Sequence, residues 1–398
     1  MKLSKSFLNN LLIFSLAAML SLAGCAHDRG AAESRTRVVA KAGKFRVAVY
    51  PIDNMSGAFF QMKELRHSWL KKLKELGVDT VDDETLEATL ERHRIRYISG
   101  VDSEAALALK EEAGADAVLI TSLEYYNDIY PPKIALVSRL TSTGENPGIL
   151  WMESVGLAGD DSPGLLGLGL IGDFTTLQEM ALQRLADSLV SKLNDDGQSC
   201  SNMAEGAKYR PKQFYSAFPI DTTKKTTIAV VPFYNDSNRK RVGEIMQTHF
   251  TRQLSCLTNV VPIEPGLVRE KMLGIRMIMP EGVSIRDVDV LTYILEADFV
   301  LSGTVFDYQD PNGGAGTPKI DFSALMINRG ERKVIMLSKS YNNGDDGVFF
   351  YDVGRENNAN VMAGKMSANV VQKMTEEKEP VIHQFAPRRF YDQRPEAM

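Results

Sequence analysis

Short apolar runs and longer stretches with helical spacing alternate along the first half of the chain. The stretch from Phe45 to Ile52 is β-branched and apolar and ends at a Pro and an Asn, a pattern typical of a buried strand that closes into a turn. From Phe60 to Leu76, apolar side chains recur every three or four residues, and Gly77 follows. This spacing predicts an amphipathic helix with a glycine at its carboxyl end.

The remaining elements of the first half continue this order. Three strand-like runs are separated by Pro-Pro and by Thr-Gly-Glu-Asn-Pro-Gly, so we expect two hairpins. The elements follow the order strand, helix, short strand, two helices and strand meander. This order predicts a mixed sheet covered by helices. After the first helix, the predicted elements are a strand at 78–81, helices at 83–92 and 103–113, strands at 117–125, 134–140 and 149–157, and a helix at 174–193.

Four short motifs of the first half recur in the same order in the second half. Val47–Asn54 (VAVYPIDN) returns as Ile228–Asn235 (IAVVPFYN), and Ala115–Leu119 (ADAVL) returns as Ala297–Leu301 (ADFVL). A Pro-Lys-Ile motif and a Gly-Asp-Asp motif also recur farther along. Because the offset stays between 181 and 186 residues, the motifs indicate duplication of one module.

The chain is therefore predicted to contain two tandem α/β modules, each a mixed β-sheet covered by α-helices and each with its own core. The second half shows the same succession of strand and helix patterns as the first. The segment between the modules contains Gly, Ser, Pro and Lys without periodicity, which is typical of a linker. The predicted boundaries are 1–24 for a signal peptide, 25–43 for a tether, 44–195 for module 1, 196–225 for the linker, 226–376 for module 2 and 377–398 for a polar tail.

The first residues have the pattern of a secretion signal. Lys2 and Lys5 precede a largely apolar run from Leu11 to Leu20, which is too short to span about 30 Å of hydrocarbon with ease. Leu22-Ala-Gly-Cys25 follows and resembles the lipobox of bacterial lipoproteins, in which the cysteine thiol receives diacylglycerol. The resemblance implies an acylated Cys25 as the first mature residue. The alternative is an ordinary cleaved signal with an incidental cysteine.

Residues 26–43 are predicted to tether the modules to a membrane. They are small and polar, and as a flexible coil they would span roughly 20–25 Å on average. Position 26 is Ala rather than Asp, which by resemblance to the sorting rule of enteric lipoproteins implies the outer membrane. We therefore expect a protein that is lipid-anchored in the outer membrane and faces the periplasm.

Composition and charge narrow the classes of function. With 44% hydrophobic and 24% charged residues, the chain has the composition of an ordinary globular protein. The net charge is -5 and there is no long basic run, so nucleic acid is not an expected partner. The five histidines are scattered, and the sequence contains no motif for metal binding or nucleophilic catalysis. We therefore expect no cofactor, no metal and no enzymatic activity.

The repeated Gly-Asp-Asp motif, at 159–161 and 344–346, has two interpretations. Its carboxylates could bind a cation, which needs several oxygen ligands. Gly-Asp after a strand is also ordinary turn chemistry, and we favour this second interpretation.

Cys200 and Cys256 are the only cysteines besides Cys25. The periplasm is normally oxidising, so the two can form a disulfide that staples the linker to the first helix of module 2. The alternative is two free thiols, with Cys256 acting as a small apolar residue on a helix. Spacing in sequence leaves both alternatives open.

An uncharged, Gly-rich apolar segment follows the last strand of module 1. The four glycines of residues 163–172 (PGLLGLGLIG) disfavour a helix, because each costs about 1 kcal/mol relative to Ala. One interpretation is a buried start to the final helix. The other, which we favour, is a surface that contacts a partner or the lipid leaflet. Module 2 shows no equivalent in its sequence. The candidate contact residues are Leu165, Leu166, Leu168, Leu170 and Ile171.

Several short motifs in module 1 resemble those of a known group of proteins. Motifs of outer-membrane lipoproteins are similar to the opening Ala-Val-x-Pro-x-x-Asn, to Gly114–Leu119 (GADAVL), to Thr143-Gly-Glu and to Leu150-Trp151. The fold of that group is similar to the amino-terminal domain of TolB and to the periplasmic domain of the curli-secretion lipoproteins. Module 2 keeps only part of the pattern. The resemblance implies a non-enzymatic role in envelope assembly, in secretion or in regulation of a partner.

Three functions are compatible with these observations. The first is a lipid-anchored, non-enzymatic binding or scaffold protein that supports assembly or secretion through an envelope protein partner and can form a homo-oligomer. The second is a small-ligand receptor that uses the cleft between the modules. The third is an activator of a cell-wall synthase, against which the tether argues, because roughly 20–25 Å adds little reach.

Overall fold

Each half of the chain folds around one β-sheet in the computed structural model. Strands and helices follow one another in the same order in the two halves. The structure describes residues 45–162, 169–194, 200, 207–277, 285–314, 316–330, 333–349 and 354–376.

Module 1 is a mixed sheet with helices on both faces. Its strands are β1 (Arg46–Val49), β2 (Asp53–Asn54), β3 (Asp79–Thr80), β4 (Ala117–Asn127), β5 (Lys133–Ser142) and β6 (Ile149–Ala158). Its helices are α1 (Met62–Glu75), α2 (Asp83–Arg92), α3 (Ser103–Glu111) and α4 (Phe174–Leu193). The strand order is β3-β1-β4-β5-β6, with β2 beside β4. Strand β1 is parallel to β3 and β4, whereas β4, β5 and β6 form an antiparallel meander.

Module 2 repeats this arrangement and adds one strand at the edge. Its strands are β7 (Gln213–Ser216), β8 (Thr226–Val230), β9 (Tyr234–Asn235), β10 (Val260–Pro262), β11 (Phe299–Gln309), β12 (Lys319–Asn328) and β13 (Val334–Asn343). Its helices are α5 (Val242–Ser255), α6 (Pro265–Gly274), α7 (Ile285–Ile294) and α8 (Ala359–Thr375). The strand order is β10-β8-β11-β12-β13-β7, with β9 beside β11.

The predicted fold class, two similar α/β modules with mixed sheets, is confirmed. Helix α4 spans Phe174–Leu193, the range that its apolar periodicity predicts. The first strand of each module is shorter than predicted. In module 1, β1 ends at Val49 and β2 begins at Asp53, because Pro51 between them has no N–H for the ladder.

The segment predicted as a linker without regular structure contains a strand. Strand β7 pairs antiparallel with β13 and extends the sheet of module 2. Its four residues, QFYS, are too few to show the alternation from which a strand is predicted. The expectation of an irregular linker is therefore wrong over these residues.

The duplication extends to individual hydrogen bonds. Asn54 Nδ2 donates to Ala58 O over 2.8 Å, and Asn235 Nδ2 donates to Arg239 O over 2.8 Å. Each asparagine follows the first strand of its module and closes the turn that leads to the first helix.

The layers of the two modules form one stack. Helices α1 and α4 cover one face of the first sheet, and α2 and α3 cover part of the other face. The rest of that second face packs, through β6, against α5 and α8 of module 2. The same two helices also cover their own sheet, through residues such as Phe250 and Met362. Residues 42–398 consequently form one compact unit.

Candidate functional site

The structure describes only the end of the predicted contact segment, residues 163–172, which we call loop 1. Leu170 is 38% exposed. Ile171 is partly buried and packs against the core of module 1. The other candidates lie outside the described residues: Cys25, Leu165, Leu166 and Leu168.

A disulfide joins Cys200 and Cys256, whose Cα atoms lie 5.7 Å apart. Cys256 lies directly after α5, so the bond ties the segment ahead of β7 to a helix that separates the two sheets. We predict the same bond in the exported protein.

We expect mass labelling of the denatured, unreduced protein to find no free thiol at either position. The two cysteines are 56 residues apart, so the bond should stabilise the fold by roughly 4 kcal/mol in the chain-entropy model. Reduction should therefore lower the melting temperature of the wild type but not that of a Cys200→Ser, Cys256→Ser double variant. Two labelled thiols in the unreduced wild type would contradict the pairing.

The two Gly-Asp-Asp motifs form equivalent turns. Asp161 Oδ2 accepts a hydrogen bond from Ala158 N at 2.7 Å, and Asp346 Oδ2 accepts one from Asn343 N at 2.9 Å. These contacts are the turn chemistry that we favoured from the sequence. Over the described ranges, no group of three or more His, Cys, Asp or Glu side chains is placed to hold a metal ion.

The segment after each turn is bound back to the turn in the same way. Ile171 N donates to Gly159 O at 2.8 Å, and Glu356 N donates to Gly344 O at 2.9 Å. Residues 347–355 (GVFFYDVGR), which we call loop 2, thus correspond to loop 1. That module 2 has no Gly-rich apolar equivalent of loop 1 stays a prediction, because these two hydrogen bonds concern only the residues that flank the loops. The correspondence is hidden in the sequence, because glycine and leucine in loop 1 give way to aromatic residues in loop 2.

Gly159→Ala and Gly344→Ala are expected to destabilise the fold to a similar extent, by about 1–3 kcal/mol each. The added methyl groups would lie 2.2 Å from Ile171 O and 2.3 Å from Glu356 O, so each loop would have to move. Gly148→Ala is the matched control, because the nearest atom to its methyl group would be 4.0 Å away. Urea denaturation measures the loss of unfolding free energy in each of the three variants. A negligible loss for only one of the first two variants would contradict the equivalence of the loops.

Loops 1 and 2 emerge at the same end of the stack. Asn357 Nδ2, beside loop 2, donates to Asp160 O, beside loop 1, over 3.3 Å. The β4–β5 and β11–β12 turns also meet there, where Tyr125 OH donates to Asp310 O at 2.8 Å and Lys133 Nζ donates to Asp310 Oδ1 at 3.0 Å. Burial raises the pKa of the Asp310 carboxyl above its ordinary value, and Lys133 opposes that shift.

Exposed apolar side chains gather at this end. Phe59 is 93% exposed, Ile129 and Tyr130 are each 58% exposed, Leu170 is 38% exposed and Phe349 is 79% exposed. We call these five side chains the apolar end. Single exposed apolar residues are ordinary, whereas several of them at one end of the stack form a candidate interaction site.

An aromatic cluster lies beneath the part of the apolar end that belongs to module 1. The ring centroids of Phe60, Tyr126 and Phe174 lie between 4.5 and 5.8 Å apart. A methyl group added at Gly172 would lie 3.5 Å from the Tyr130 ring, so Tyr130 lies close to the last residue of loop 1. The exposed side chains therefore rest on packed rings, which limits their rearrangement.

Four members of the apolar end were not predicted from the sequence: Phe59, Ile129, Tyr130 and Phe349. Each lies in a connection rather than in a strand or helix. The available signal is an apolar residue inside a turn-forming segment, as in Asn-Asp-Ile-Tyr-Pro-Pro, because polar residues are usual there.

Ion pairs fill the boundary between the modules. The side chains of Arg139 on β5 and Glu264 are 3% and 0% exposed, and the distance from Arg139 Nη2 to Glu264 Oε1 is 2.8 Å. Thr141 Oγ1 also donates to Glu264 Oε2 at 3.1 Å. Glu264 is in addition the cap residue of α6, so one carboxylate joins β5 to the start of a helix in the other module.

Two arginines ahead of α5 bind the corresponding turn of module 1. Arg241 donates through both of its Nη atoms to Asp53, each over 2.8 Å. Arg239 donates to Met55 O at 3.0 Å and to Ser56 O at 2.6 Å. The boundary is therefore a specific, polar contact rather than an open cleft.

A cavity of about 440 Å³ lies at one edge of the boundary, where Tyr97 of module 1 faces module 2. Among its polar lining residues, Glu244 pairs with Arg241, Gln247 donates to a backbone carbonyl, and Arg269 lies 4.2 Å from the centroid of the Tyr97 ring. These side chains are thus engaged within the protein. This arrangement gives the small-ligand receptor no specific support, because such sites need polar groups that converge on the ligand.

No family model and no curated protein matches the chain significantly. Solved structures match it locally. PelC from Paraburkholderia phytofirmans, a dodecamer, is 15% identical with a TM-score of 0.30, over 42% of this chain and 97% of that one. A lipoprotein from Neisseria meningitidis is 21% identical with a TM-score of 0.27, over 36% of this chain and 98% of that one. The LpoB carboxyl-terminal domain from Salmonella enterica is 11% identical with a TM-score of 0.22, over 30% of this chain and 83% of that one.

Within the described ranges, no helix has both the length and the apolar character that crossing a bilayer requires.

Proposed function

We propose that this chain is a lipid-anchored, non-enzymatic scaffold of the cell envelope that binds a protein partner through the apolar end. The observation that carries the proposal is the grouping of Phe59, Ile129, Tyr130, Leu170 and Phe349, which both modules contribute and which stays exposed. An exposed apolar group of this kind is costly in water unless another surface covers it. The scaffold thus supports assembly or secretion through that partner.

The anchor is the lipid on Cys25, and the supporting observation is the Leu-Ala-Gly-Cys sequence after an apolar run. More than one acyl chain holds a protein on a bilayer durably, because each buried methylene contributes about 0.8 kcal/mol. Ala26 supports the outer membrane as the destination, with the modules on the periplasmic side.

We expect Cys25→Ser to move the protein from the membrane fraction to the soluble periplasmic fraction. The replacement removes the thiol that receives the lipid, and residues 26–43 carry no apolar run that would replace it. Ala26→Ser is a suitable control, since it alters a neighbouring small residue and keeps the thiol. If Cys25→Ser stays in the membrane fraction after a high-salt wash, another feature holds the protein there.

The position of the apolar end favours a protein partner over the anchoring leaflet. The chain enters module 1 at the start of β1, where Val47 pairs with Ala117 at the start of β4. Strand β4 has eleven residues, and Ile129 and Tyr130 follow its other end. At about 3.3 Å per residue, the two ends of β4 lie roughly 35 Å apart, so the apolar end lies far from the point where the chain enters module 1. We therefore propose that the apolar end faces the periplasm.

Charges around the apolar end define the partner further. Asp128 and Asp173 are exposed beside Ile129 and at the start of α4. An apolar surface with an acidic rim fits a partner that has an apolar groove and basic residues at its margin. We therefore expect recovery of the partner to fall as ionic strength rises.

Recovery of the tagged protein from cross-linked envelopes tests the proposal. We expect one envelope protein to be recovered in a fixed ratio to the chain, and to be lost when Phe59 is replaced by Asp. Recovery of the same proteins by both variants would contradict the proposed site, and recovery of lipid alone would support the leaflet instead.

A further inference from the structure

A cavity of about 390 Å³ lies beside the apolar end, between the first turns of α1 and α4 and the last residues of β4. Phe59, which belongs to the apolar end, is one of its lining residues. Ligand pockets usually measure about 300–1,000 Å³, so the cavity is large enough for one long side chain of a partner. The cavity and the apolar end thus form one continuous surface.

Aromatic rings line much of this cavity, which we call the aromatic pocket. Its aromatic lining residues are Phe59, Phe60, Tyr126 and Phe174. The last three pack with ring centroids 4.5–5.8 Å apart and with planes tilted by 54–88° to one another. Rings packed at such angles present faces as well as edges, and the face carries the negative part of the ring quadrupole. A cation within about 6 Å of a ring face is therefore attracted to it.

The charge of the aromatic pocket is negative. Glu64 on α1 is the one charged residue among the described residues that line it. The basic neighbours of Glu64 along the helix, Lys63 and His67, are exposed and do not belong to the lining. The other lining residues are a leucine and uncharged polar side chains. The pocket thus offers a cation a carboxylate next to aromatic rings.

Two further carboxylates flank the aromatic pocket. The Tyr126 hydroxyl donates a hydrogen bond to Asp128, and burial together with this bond raises the pKa of Tyr126 above its ordinary value. Asp173 directly precedes Phe174 and caps α4, where it accepts a hydrogen bond from Thr176 N at 2.8 Å. This cap compensates the positive end of the helix dipole, which would otherwise oppose a cation. The surroundings of the pocket therefore add to its negative charge.

We propose that the aromatic pocket binds a basic side chain of the protein partner, preferably an arginine. The planar guanidinium group stacks on aromatic rings, pairs with a carboxylate and is less strongly hydrated than an ammonium group. The inference rests on the proposed function, since it names the chemistry that holds the partner beside the apolar end. A phospholipid headgroup suits the pocket less well, because its phosphate would be repelled by Glu64, Asp128 and Asp173.

Ligand-detected NMR titrations of the full chain carrying Cys25→Ser test the pocket without the partner. The probes are two acetylated and amidated tripeptides, one with arginine and one with citrulline between two leucines. Citrulline keeps the length of arginine and removes its charge. In low salt we expect the arginine peptide to bind more tightly than the citrulline peptide by a factor of about five or more, because only the former gains from the rings and the carboxylates.

Glu64→Gln should reduce the preference for the arginine peptide to less than about twofold and leave the affinity for the citrulline peptide unchanged. The change keeps the size of the side chain and removes its charge. Glu75→Gln is the matched control, because Glu75 lies at the other end of α1 and pairs with Lys71 and Lys72 at 4.0 and 3.7 Å. It should keep the preference. Both glutamates are exposed, so both variants should keep the melting temperature of the parent.

Several results would overturn the proposal. Equal affinities of the parent for the two peptides, or no binding of either, would show that the pocket recognises no basic side chain. A preference that Glu64→Gln retains would place the recognition elsewhere. Tighter peptide binding after removal of residues 377–398, or weaker binding as the protein is concentrated, would assign the pocket to the chain's own tail or to a second copy. Competition by phosphatidylethanolamine vesicles would assign it to lipid.

The proposed function fails on a different observation, namely partner recovery that Phe59→Asp leaves unchanged.

Discussion

Replacing Glu264 with Gln is expected to lower the free energy of unfolding by about 3–5 kcal/mol. The change keeps the size of the side chain and removes only the charge. It leaves the Arg139 guanidinium, 3% exposed, without the carboxylate to which it donates at 2.8 Å. A charge buried without its partner is costly, because water cannot reach it.

Glu270→Gln is the matched control for this prediction. Glu270 Oε2 also accepts a hydrogen bond across the module boundary, from Ser103 N at 2.9 Å, but its side chain is 31% exposed. We expect Glu270→Gln to lower the free energy of unfolding by less than about 1 kcal/mol. Urea denaturation measures the loss in both variants. An apolar double replacement, Arg139→Met with Glu264→Leu, should recover most of the loss, since it leaves no buried charge. Equally small losses of unfolding free energy for Glu264→Gln and Glu270→Gln would show that the Arg139–Glu264 ion pair does not hold the modules together.

Replacing both Phe59 and Leu170 with Asp is expected to abolish recovery of the partner and to leave the melting temperature within about 2 °C of the wild type. The two side chains are 93% and 38% exposed, so their removal costs the isolated protein little. Both lie at the apolar end, where the partner would have to bury the new charges.

The control for the double variant is Leu107→Asp, which alters an exposed apolar residue of α3. It should keep both stability and partner recovery. A fall of many degrees in the double variant would show that Phe59 and Leu170 belong to the core of module 1. In that case the interpretation of loop 1 as the start of a buried helix would be favoured.

The local elements follow closely from the sequence. Helix α4 matches its prediction because the apolar side chains that define it, such as Leu177 and Leu185, recur within the helix itself and all face one core. The repeat was also visible, since the turn that Asn54 and Asn235 close depends on a few adjacent residues. Patterns of this kind are local, so they need no knowledge of the tertiary structure.

The boundary between the modules could not be predicted in the same way. Glu264 and Arg139 have the character of surface residues in the sequence, yet they are buried because β5 and α6 meet across 125 residues of chain. Strand β7 is likewise defined by its pairing with β13 rather than by its own four residues. The apolar end could not be predicted from the sequence either. Phe59 and Phe349 lie at one end only because the two modules stack. Contacts between distant segments decide each of these features.

Photo-cross-linking in intact cells shows whether the apolar end binds a protein partner. A photoreactive residue is placed in turn at Phe59 and Tyr130, which belong to the apolar end, and at Leu107, which is similarly apolar and exposed but lies beside the opposite end of β4. We expect a covalent adduct with the same envelope protein from Phe59 and from Tyr130, and none with that protein from Leu107. Adducts with lipid alone from the first two positions, or the same protein adduct from all three, would contradict this expectation.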